Sequence, residues 1–407
     1  MRILWLKTEL LHPIDKGGKI RSYEMLRELK KNHHITYLTL DDGSADTDAL
    51  VKSSEYAHAV ITIPHKTAPK FSLKFYIELF INLTSALPYF MQKYVSNAML
   101  QEVEKLVKSQ NFDIVVCDFL MPAVNVPKQM EMPTLLFQHN VEAMIWRRHF
   151  EVQQNAFKKI FFKKQWQKAI AYERAACQNF DYVAAVSSVD ANIMREEYAL
   201  KQVADVPTGV DTEFFQARND LEKDAFNLVF TGSMDWLPNE DAMCWFITDI
   251  YPLVKRHIPA VTLTIVGRNP FPLLIESSQN DPSILVTGRV PDVRPFMQKA
   301  SVYIVPMRIG SGTRLKIYEA MSMALPMVST RVGAEGLPII DGEELFLRDT
   351  PEEFAEMVVN LLSDKALAQR VGQNAAKTVH DKFGWKKVAD DFIELCDRAI
   401  NVKATQG

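Results

Sequence analysis

Cysteine is scarce in this sequence, and every long apolar run is interrupted. The four cysteines among the 407 residues are widely spaced, without a Cys-x-x-Cys pair: Cys117, Cys177, Cys244 and Cys396. This spacing argues against a disulfide framework and a structural zinc site, and it favours a reducing, cytoplasmic location. The most membrane-like stretch, residues 71–90, contains Lys74, Glu78 and Asn82, so it predicts a buried or surface helix rather than a transmembrane span.

Neither sign of charge dominates the chain. Its 47 Lys and Arg residues nearly balance 50 Asp and Glu residues, which gives a formal net charge of −3. Such a balance creates no global field that would attract a polyanion, so nucleic acid is not predicted as a partner. The length exceeds that of one ordinary core, and it predicts two domains of about 200 residues each.

Two familiar phosphate-binding patterns are absent. The sequence contains neither a Walker A motif nor the full Gly-x-Gly-x-x-Gly pattern. Their absence argues against a P-loop phosphoryl transferase and against a dinucleotide-dependent dehydrogenase. No pair of carboxylates stands out as the double-displacement machinery of a glycosidase either.

Short apolar, β-rich runs alternate with longer helical stretches, and the series starts twice, at residues 3–6 and 228–231. This alternation predicts an α/β protein with two doubly wound parallel sheets, which would face each other across a cleft. Pro and Gly at 207–211 and the polar stretch 216–224 mark the boundary. We therefore expect domains at 1–210 and 211–384, followed by a C-terminal helix in 385–407.

The strongest chemical signal is a predicted strand, glycine-bearing loop and helix at residues 302–321. Gly310 and Gly312 allow a tight turn and a close approach of the backbone to a ligand. Ser311 or Thr313 is placed to cap the new helix, whose first N–H groups would form an anion site. The pattern predicts a phosphate-binding loop.

Two cations follow this loop in the predicted first turn. Arg314 and Lys316 oppose the positive end of the helix dipole, an arrangement that makes sense if a diphosphate neutralises them. Glu319, one turn later, is placed to accept hydrogen bonds from ribose hydroxyls. The alternative is an ordinary surface helix with a Lys316–Glu319 ion pair.

The first half of the chain offers a weaker anion site. Gly17 and Gly18 precede a predicted helix that has Arg21 in its first turn. A simple strand-to-helix turn explains this pattern equally well.

A histidine follows the predicted strand at 134–137. His139 is placed to orient a sugar hydroxyl or to hydrogen-bond a developing charge, although a lone histidine at such a position is more often structural. Glu142, three residues later, has the alternative role of a helix-cap partner of Asn140.

Residues 146–168 carry seven Lys or Arg residues against one acid, Glu151, with aromatic residues between them. A basic, aromatic helix of this kind is able to lie on an anionic membrane surface. The alternative is a helix packed on its own domain with a solvated basic edge.

Eight stretches, in this order, resemble the family-4 type of GT-B retaining glycosyltransferases over nearly the whole chain. The likeness is closest to bacterial sugar transferases of exopolysaccharide and exosortase-associated systems. The matching stretches are GGKIRSYEML (17–26), QHNVEA (138–143), VSSVD (186–190), PTGVDTEFF (207–215), FTGSMDWLPNEDA (230–242), IVGRNP (265–270), VTGRVPDV (286–293) and GSGTRLKIYEAMSMALPMVSTRVGAEGL (310–337).

The resemblance implies a GT-B fold in which the C-terminal helix (385–407) packs back on the first domain. It also implies a nucleotide-sugar donor on the second domain, and neither a cofactor nor an obligatory metal. It places the reacting sugar near His139, the base near the backbone of Val290, and the ribose at Glu319. Further donor-binding residues are expected within the matching stretches: Gly17, Gly18, Gly232, Gly267, Arg268, Ser311, Gly312 and Thr313. The acceptor side would include Arg21, Asn140 and Glu142.

Two departures from the family pattern matter. Ser311 stands where many members have the first of two glutamates, and Gly232–Asn239 contains no base where many members have Arg and Lys. Arg314 and Lys316 are expected to supply that charge and, with His139, to act in catalysis. The sequence thus predicts a cytoplasmic, membrane-peripheral hexosyltransferase (EC 2.4 class) with a glycan or polyprenyl-linked acceptor. The alternatives are a nucleotide-sugar epimerase and a non-catalytic sugar-nucleotide-binding protein.

Overall fold

The computed structural model describes residues 1–14, 17–69, 71–109, 111–153, 155–218, 223–309 and 315–406. The chain forms two compact units. The first unit comprises residues 1–207 together with 388–407, and the second comprises residues 208–387.

The first unit contains a seven-stranded parallel sheet in the order β3-β2-β1-β4-β5-β6-β7. Its strands are β1 (Arg2–Lys7), β2 (His34–Asp41), β3 (Ala59–Pro64), β4 (Ile114–Asp118), β5 (Thr134–Phe137), β6 (Tyr182–Ala185) and β7 (Val203–Asp205). Its helices are α1 (Gly17–Leu29), α2 (Ala49–Lys52), α3 (Leu73–Asn82), α4 (Tyr89–Gln92), α5 (Asn97–Ser109), α6 (Glu142–Val152), α7 (Ala156–Asn179) and α8 (Ser188–Glu197). Short 3₁₀ helices cover Ser53–Glu55 and Met121–Asn125.

The second unit contains a six-stranded parallel sheet in the order β10-β9-β8-β11-β12-β13. Its strands are β8 (Asn227–Thr231), β9 (Thr262–Val266), β10 (Ile284–Val286), β11 (Val302–Val305), β12 (Met327–Ser329) and β13 (Phe346–Leu347). Its helices are α9 (Leu237–Trp245), α10 (Tyr251–His257), α11 (Pro272–Asn280), α12 (Arg294–Lys299), α13 (Leu315–Ser322), α14 (Pro351–Ser363) and α15 (Lys365–Lys382), and Phe246–Ile250 is π-helical.

The last helix, α16 (Trp385–Gln406), starts in the second unit and ends in the first. Its first residue, Trp385, packs on Gly209, where a Cβ atom would lie 2.5 Å from the indole ring. Farther along, the ring centroid of Phe392 lies 5.6 Å from that of Trp5 and 5.0 Å from that of Phe137. Because all three of these rings are buried, the end of α16 is part of the first unit's core.

Three details of the predicted helices are wrong. The stretch 141–179 forms two helices instead of one, and Asn155 caps the second by accepting a hydrogen bond from Lys158 N at 3.1 Å. Residues 71–90 likewise do not form one helix: they contain α3 (Leu73–Asn82) and the first two residues of α4 (Tyr89–Gln92). Gly17 and Gly18 do not precede α1 but are its first two residues. Among the described residues, no helix combines the length and apolar composition needed to cross a membrane.

Candidate functional site

Both sheets reverse their strand order at one point, between β1 and β4 in the first unit and between β8 and β11 in the second. In open α/β sheets, ligands bind beyond the carboxyl ends of the strands at such a point. Each unit holds part of the predicted site residues near its point of reversal.

In the second unit, two glycines bring the ends of β8 and β9 together. A Cβ atom on Gly267 would lie 1.7 Å from the carbonyl oxygen of Gly232, so only glycine fits here. The backbones are joined by hydrogen bonds from Gly232 N to Val266 O and from Met234 N to Arg268 O, both 3.0 Å long. Gly232 and Gly267 therefore shape this edge of the sheet through their small size.

Lys316 lies against this edge. Its Nζ donates to Oδ1 of Asn239 at 3.0 Å and is 4.0 Å from the centre of the Phe230 ring. Asn239 is buried in α9, and its own amide donates to the carbonyl of Ser233 at 2.8 Å. A Cβ atom on Gly232 would lie 2.9 Å from Lys316 Nζ, so the glycine makes room for the amine. The ammonium group is thus held in one place by several described neighbours.

Glu319 lies one helical turn after Lys316 and is half-buried. Burial raises the pKa of its carboxyl group to about 7, while the positive charge of Lys316 opposes the shift. A carboxyl group with such a pKa, beside a fixed ammonium group, is typical of a functional site.

Two other predicted donor residues occupy the surrounding loops. Arg268 is exposed, and its Nε donates to Ser233 Oγ at 2.8 Å. Val290 lies in the loop after β10 and packs, partly buried, on the core of the second unit. The structure therefore gathers Gly232, Gly267, Arg268 and Lys316 around the ends of β8 and β9.

The glycine-bearing loop itself lies outside the described residues. This applies to Gly310, Ser311, Gly312, Thr313 and Arg314, so the roles assigned to them stay predictions. Helix α13 begins at Leu315, which places Lys316 in its first turn.

In the first unit, a buried polar cluster occupies the point of reversal. Lys7 ends β1, and its Nζ lies 2.9 Å from Oδ2 of Asp118, which ends the neighbouring strand β4. The same carboxylate oxygen accepts a hydrogen bond from Trp5 Nε1 at 2.9 Å, and Lys7 Nζ donates to Ser22 Oγ on α1 at 2.5 Å. Burial alone would raise the pKa of Asp118, but the ammonium group of Lys7 outweighs burial and holds the pKa well below its usual range.

His139 joins this cluster. Its Nε2 lies 2.8 Å from Oδ1 of Asp118, but the two atoms are not aligned for a hydrogen bond, and neither has another such partner among the described residues. Burial lowers the pKa of His139 to about 3, so the imidazole is neutral at physiological pH. Phe119 stacks on this ring with a centroid distance of 3.7 Å.

The backbone of Phe119 has a φ of 76°, a left-handed conformation that is strained for a bulky residue. Gly18 accommodates it, because a Cβ atom there would lie 2.8 Å from the Phe119 ring. At Gly17, by contrast, a Cβ atom would meet nothing within 4 Å among the described residues. Gly18 thus supports the stacked pair of Phe119 and His139, and strained backbone of this kind concentrates at functional sites.

The proposed acceptor-side residues differ in their surroundings. Arg21 is buried, donates to the carbonyl oxygen of Val206 at 2.6 Å, and lies 4.8 Å from the centre of the Phe137 ring. Its guanidinium group therefore makes structural contacts. Asn140 contacts the side chain of Glu142 through a hydrogen bond. Asn140 is not the cap of α6, however, because the N-cap residue is Val141 and it makes no side-chain capping hydrogen bond.

The start of α6 is capped by a distant carboxylate. Glu173, buried in α7, accepts hydrogen bonds from the backbone N–H groups of Glu142 and Ala143 at 2.9 and 2.8 Å, and from Tyr198 OH at 2.9 Å. Burial raises the pKa of Glu173 to about 7, while these donors favour its ionised form. The cap fixes the chain directly after His139.

Glu142 gives a pH-dependent prediction. Burial raises the pKa of its carboxyl group from 4.5 to about 7, so between these values the folded chain keeps a proton that the unfolded chain releases. Stability is therefore lost as pH rises through this window. We expect Glu142→Gln to leave the free energy of unfolding unchanged at pH 4 and to raise it by about 3 kcal/mol at pH 8.

Urea denaturation at the two pH values measures this difference. Glu196→Gln, at an exposed position on α8, is the matched control and should change stability little at either pH. A Glu142→Gln effect of equal size at pH 4 and pH 8 would show that titration of this carboxyl group is not its cause.

Sequence reasoning missed several residues of these clusters, above all Lys7, Asp118, Asn239 and Glu173. A signal existed for the first two, because Lys7 and Asp118 are charged residues at the ends of apolar strands. Charged side chains at that position meet at one edge of a parallel sheet. Asn239 and Glu173 lie within helices, and their partners are distant in sequence.

Comparison with known proteins agrees with this architecture. The sequence profile of Glycosyltransferase Family 4 matches residues 16–214, and that of Glycosyl transferases group 1 matches residues 225–364. A relative from Klebsiella pneumoniae, known as an uncharacterized 44.6 kDa protein in the cps region, is 22% identical over 97% of this chain and 99% of its own length.

Solved structures show the same fold at low identity. Sucrose-phosphate synthase from Thermosynechococcus elongatus superposes with a TM-score of 0.71 at 16% identity, covering 98% of this chain and 99% of that one. HepE from Anabaena, in complex with UDP, gives a TM-score of 0.66 at 12% identity, covering 97% and 99%. These matches confirm the predicted pair of Rossmann-like parallel-sheet domains, and the chain belongs to the family-4-type GT-B glycosyltransferases.

Proposed function

We propose that the protein transfers a hexosyl group from a nucleoside diphosphate sugar to a glycan or polyprenyl-linked acceptor during assembly of a surface or exported polysaccharide. The donor binds the second unit at the ends of β8 and β9. The observation that carries this proposal is the Lys316 amine, held between Asn239 and Phe230 beside the Gly232–Gly267 contact.

Several observations support the proposed donor, the biosynthetic role and the cellular location. HepE was solved with UDP, which favours a nucleoside diphosphate as the donor's leaving group. The cps-region relative favours a role in polysaccharide assembly. We expect retention of anomeric configuration because the family that the sequence resembles consists of retaining enzymes. The four cysteines are free thiols, which fits a reducing cytoplasm.

The chemistry requires stabilisation of the departing diphosphate. As the glycosidic bond to phosphate breaks, negative charge grows on the leaving oxygen and the sugar becomes oxocarbenium-like. An ammonium group that is already fixed in place stabilises this charge without reorganisation. We assign this role to Lys316 and, by its chemistry, to Arg314, so that the proposed reaction uses no metal ion. Glu319 is assigned to the ribose.

In the first unit, we assign His139 to a hydroxyl group of the reacting sugar. The neutral imidazole and Oδ1 of Asp118 are buried and face each other at 2.8 Å without an aligned hydrogen bond. A hydroxyl group both donates and accepts, so it is able to satisfy both atoms. Stacking on Phe119 keeps the imidazole plane fixed.

Thermal-shift screening tests the donor assignment. We expect UDP, GDP, ADP or dTDP to stabilise the protein, and a ligand at one hundred times its dissociation constant contributes about 2.7 kcal/mol. The matching nucleosides, which lack the diphosphate, should give much smaller shifts. If no diphosphate stabilises the chain, the donor site is wrongly assigned.

Turnover separates the proposed transferase from its alternatives. A transferase releases nucleoside diphosphate from the stabilising donor only when an acceptor is added. Consumption of the donor without any acceptor would indicate an epimerase instead. Donor binding without turnover for any acceptor would indicate a non-catalytic binding protein.

A further inference from the structure

Helix α3 carries its apolar residues on its exposed side. Leu73, Tyr76, Ile77, Phe80 and Ile81 are all exposed, with Leu73 at 78% and Phe80 at 75%. Their spacing of three, four, seven and eight residues from the first places them on one face of the helix. In a helix that covers a core, this face would be buried. An apolar stripe of this size on the surface marks a binding site for a protein or a membrane.

Buried polar contacts hold α3 in this orientation. Asn82, at the end of the helix, is fully buried, and its Nδ2 donates to the carbonyl oxygen of Leu87 at 2.9 Å. On the same side, Glu78 accepts a hydrogen bond from Tyr89 OH at 3.2 Å. Turning the apolar stripe inward would break both contacts, so its exposure is built into the packing.

A second stripe, on α7, meets α3 at Asn82. Phe157, Ile160, Lys164 and Lys168 follow one another at spacings of three, four and four residues, so they share one face of α7. Phe157 is 85% exposed, and Ile160 is also exposed. At the end of this stripe, Lys168 Nζ donates to the carbonyl oxygen of Asn82. The end of α3 is therefore joined to a face of α7 that contributes both aromatic and basic side chains.

The charge of this region is positive although that of the chain is not. Lys158, Lys163 and Lys164 on α7 are exposed, whereas the whole chain has a formal net charge of −3. Any attraction to an anionic surface must therefore come from a local cluster of lysines and not from net charge. Apolar side chains flanked by lysines are the composition of a helix that lies in the interface of an anionic bilayer.

We propose that the exposed stripes of α3 and α7, with Lys158 and Lys163 beside the second stripe, bind an anionic lipid bilayer. Together they are called the α3–α7 surface. The apolar residues of α3 enter the boundary between headgroups and acyl chains, and the lysines of α7 contact the lipid phosphates. A second copy of the chain fits less well, because its own lysines would meet those of the first. The proposal does not depend on sugar transfer, since it requires neither donor nor acceptor. It extends the surface predicted from residues 146–168 by the apolar helix.

Co-sedimentation of the full-length protein with lipid vesicles tests the proposal. We expect binding to vesicles of equal parts phosphatidylcholine and phosphatidylglycerol, and much weaker binding to phosphatidylcholine alone. Lys163→Gln with Lys164→Gln should weaken the binding about thirtyfold. Leu73→Ser with Phe80→Ser should weaken it about a hundredfold, because two large apolar side chains no longer leave water.

Matched variants on other helices of the first unit serve as controls. Leu50→Ser with Val51→Ser removes exposed apolar side chains from α2, and Lys105→Gln with Lys108→Gln removes exposed charges from α5. Both should sediment like the wild type, and every variant should keep the wild-type melting temperature. Equal sedimentation of all variants, or no binding of the wild type to anionic vesicles, would overturn the proposal. So would a concentration-dependent dimer that Leu73→Ser with Phe80→Ser abolishes, because the surface would then join two copies.

Discussion

Replacing Lys316 with alanine is expected to slow sugar transfer at saturating donor about a hundred- to a thousandfold, the usual effect of removing one preorganised electrostatic donor. The ammonium group is preorganised because its Nζ contacts Asn239 Oδ1 at 3.0 Å and the face of Phe230 at 4.0 Å. The effect should appear in kcat, since charge on the diphosphate is greatest in the transition state. Steady-state release of nucleoside diphosphate measures it.

Two further variants separate catalysis from structure. Lys377→Ala removes an exposed lysine from α15 in the same unit and should leave turnover unchanged. Asn239→Ala keeps the Lys316 amine but removes the group that orients it, so we expect a smaller loss in kcat than for Lys316→Ala. Wild-type turnover of Lys316→Ala would exclude this lysine from the mechanism.

Asp118→Asn is expected to lower the free energy of unfolding by about 3–5 kcal/mol, because it leaves the buried Lys7 ammonium group without its counter-charge. Lys7 and Asp118 are almost completely buried, and the amine lies 2.9 Å from the carboxylate. Lys7→Met alone should also destabilise the fold, since it leaves a buried carboxylate. The double variant, in which neither charge remains, should recover much of the loss. Urea denaturation of the four proteins completes the double-mutant cycle.

An exposed ion pair of the same unit provides the control. Lys52 and Asp48 on the first-unit surface approach within 2.7 Å, but their side chains are 41% and 51% exposed. Asp48→Asn should therefore change stability much less than Asp118→Asn does. If Asp118→Asn costs no more than Asp48→Asn, the buried pair does not contribute as its geometry indicates.

The strands were the most predictable part of the fold. A parallel sheet is covered on both faces, so its strands are nearly continuous apolar runs, as in residues 114–117 of β4. Strands β7 and β13 escaped prediction because β7 has only two apolar residues before Asp205 and β13 is only two residues long. Their pairing depends on the edge of an existing sheet, which no local pattern reveals.

The candidate site was only partly predictable for a related reason. Lys316 and Gly232 stand out in sequence, because one belongs to a strand–loop–helix pattern and the other follows an apolar strand. Asn239, by contrast, is 77 residues from Lys316 in the chain, and only the parallel packing of β8 and β11 brings their elements together. Partners that are distant in sequence require the strand order, which follows from the complete sheet.

The exposed face of α3 shows a different limit of prediction from sequence. Its sequence has the periodicity of an amphipathic helix, and that pattern is the same whether the apolar face meets a core or the solvent. The outcome is decided by Asn82 and Glu78, whose polar contacts direct the opposite face inward. Periodicity alone identifies the helix and its two faces, but not what covers them.

The path of α16 has a consequence for biosynthesis. Trp5 and Phe137 belong to the first unit, yet the ring they pack against, that of Phe392, is synthesised only after the second unit. A nascent chain that has reached residue 207 therefore lacks one packing partner of these two rings throughout synthesis of the second unit. Domains generally fold as units while the chain emerges, amino-terminal first. Here the amino-terminal unit is completed only after the second unit has been synthesised.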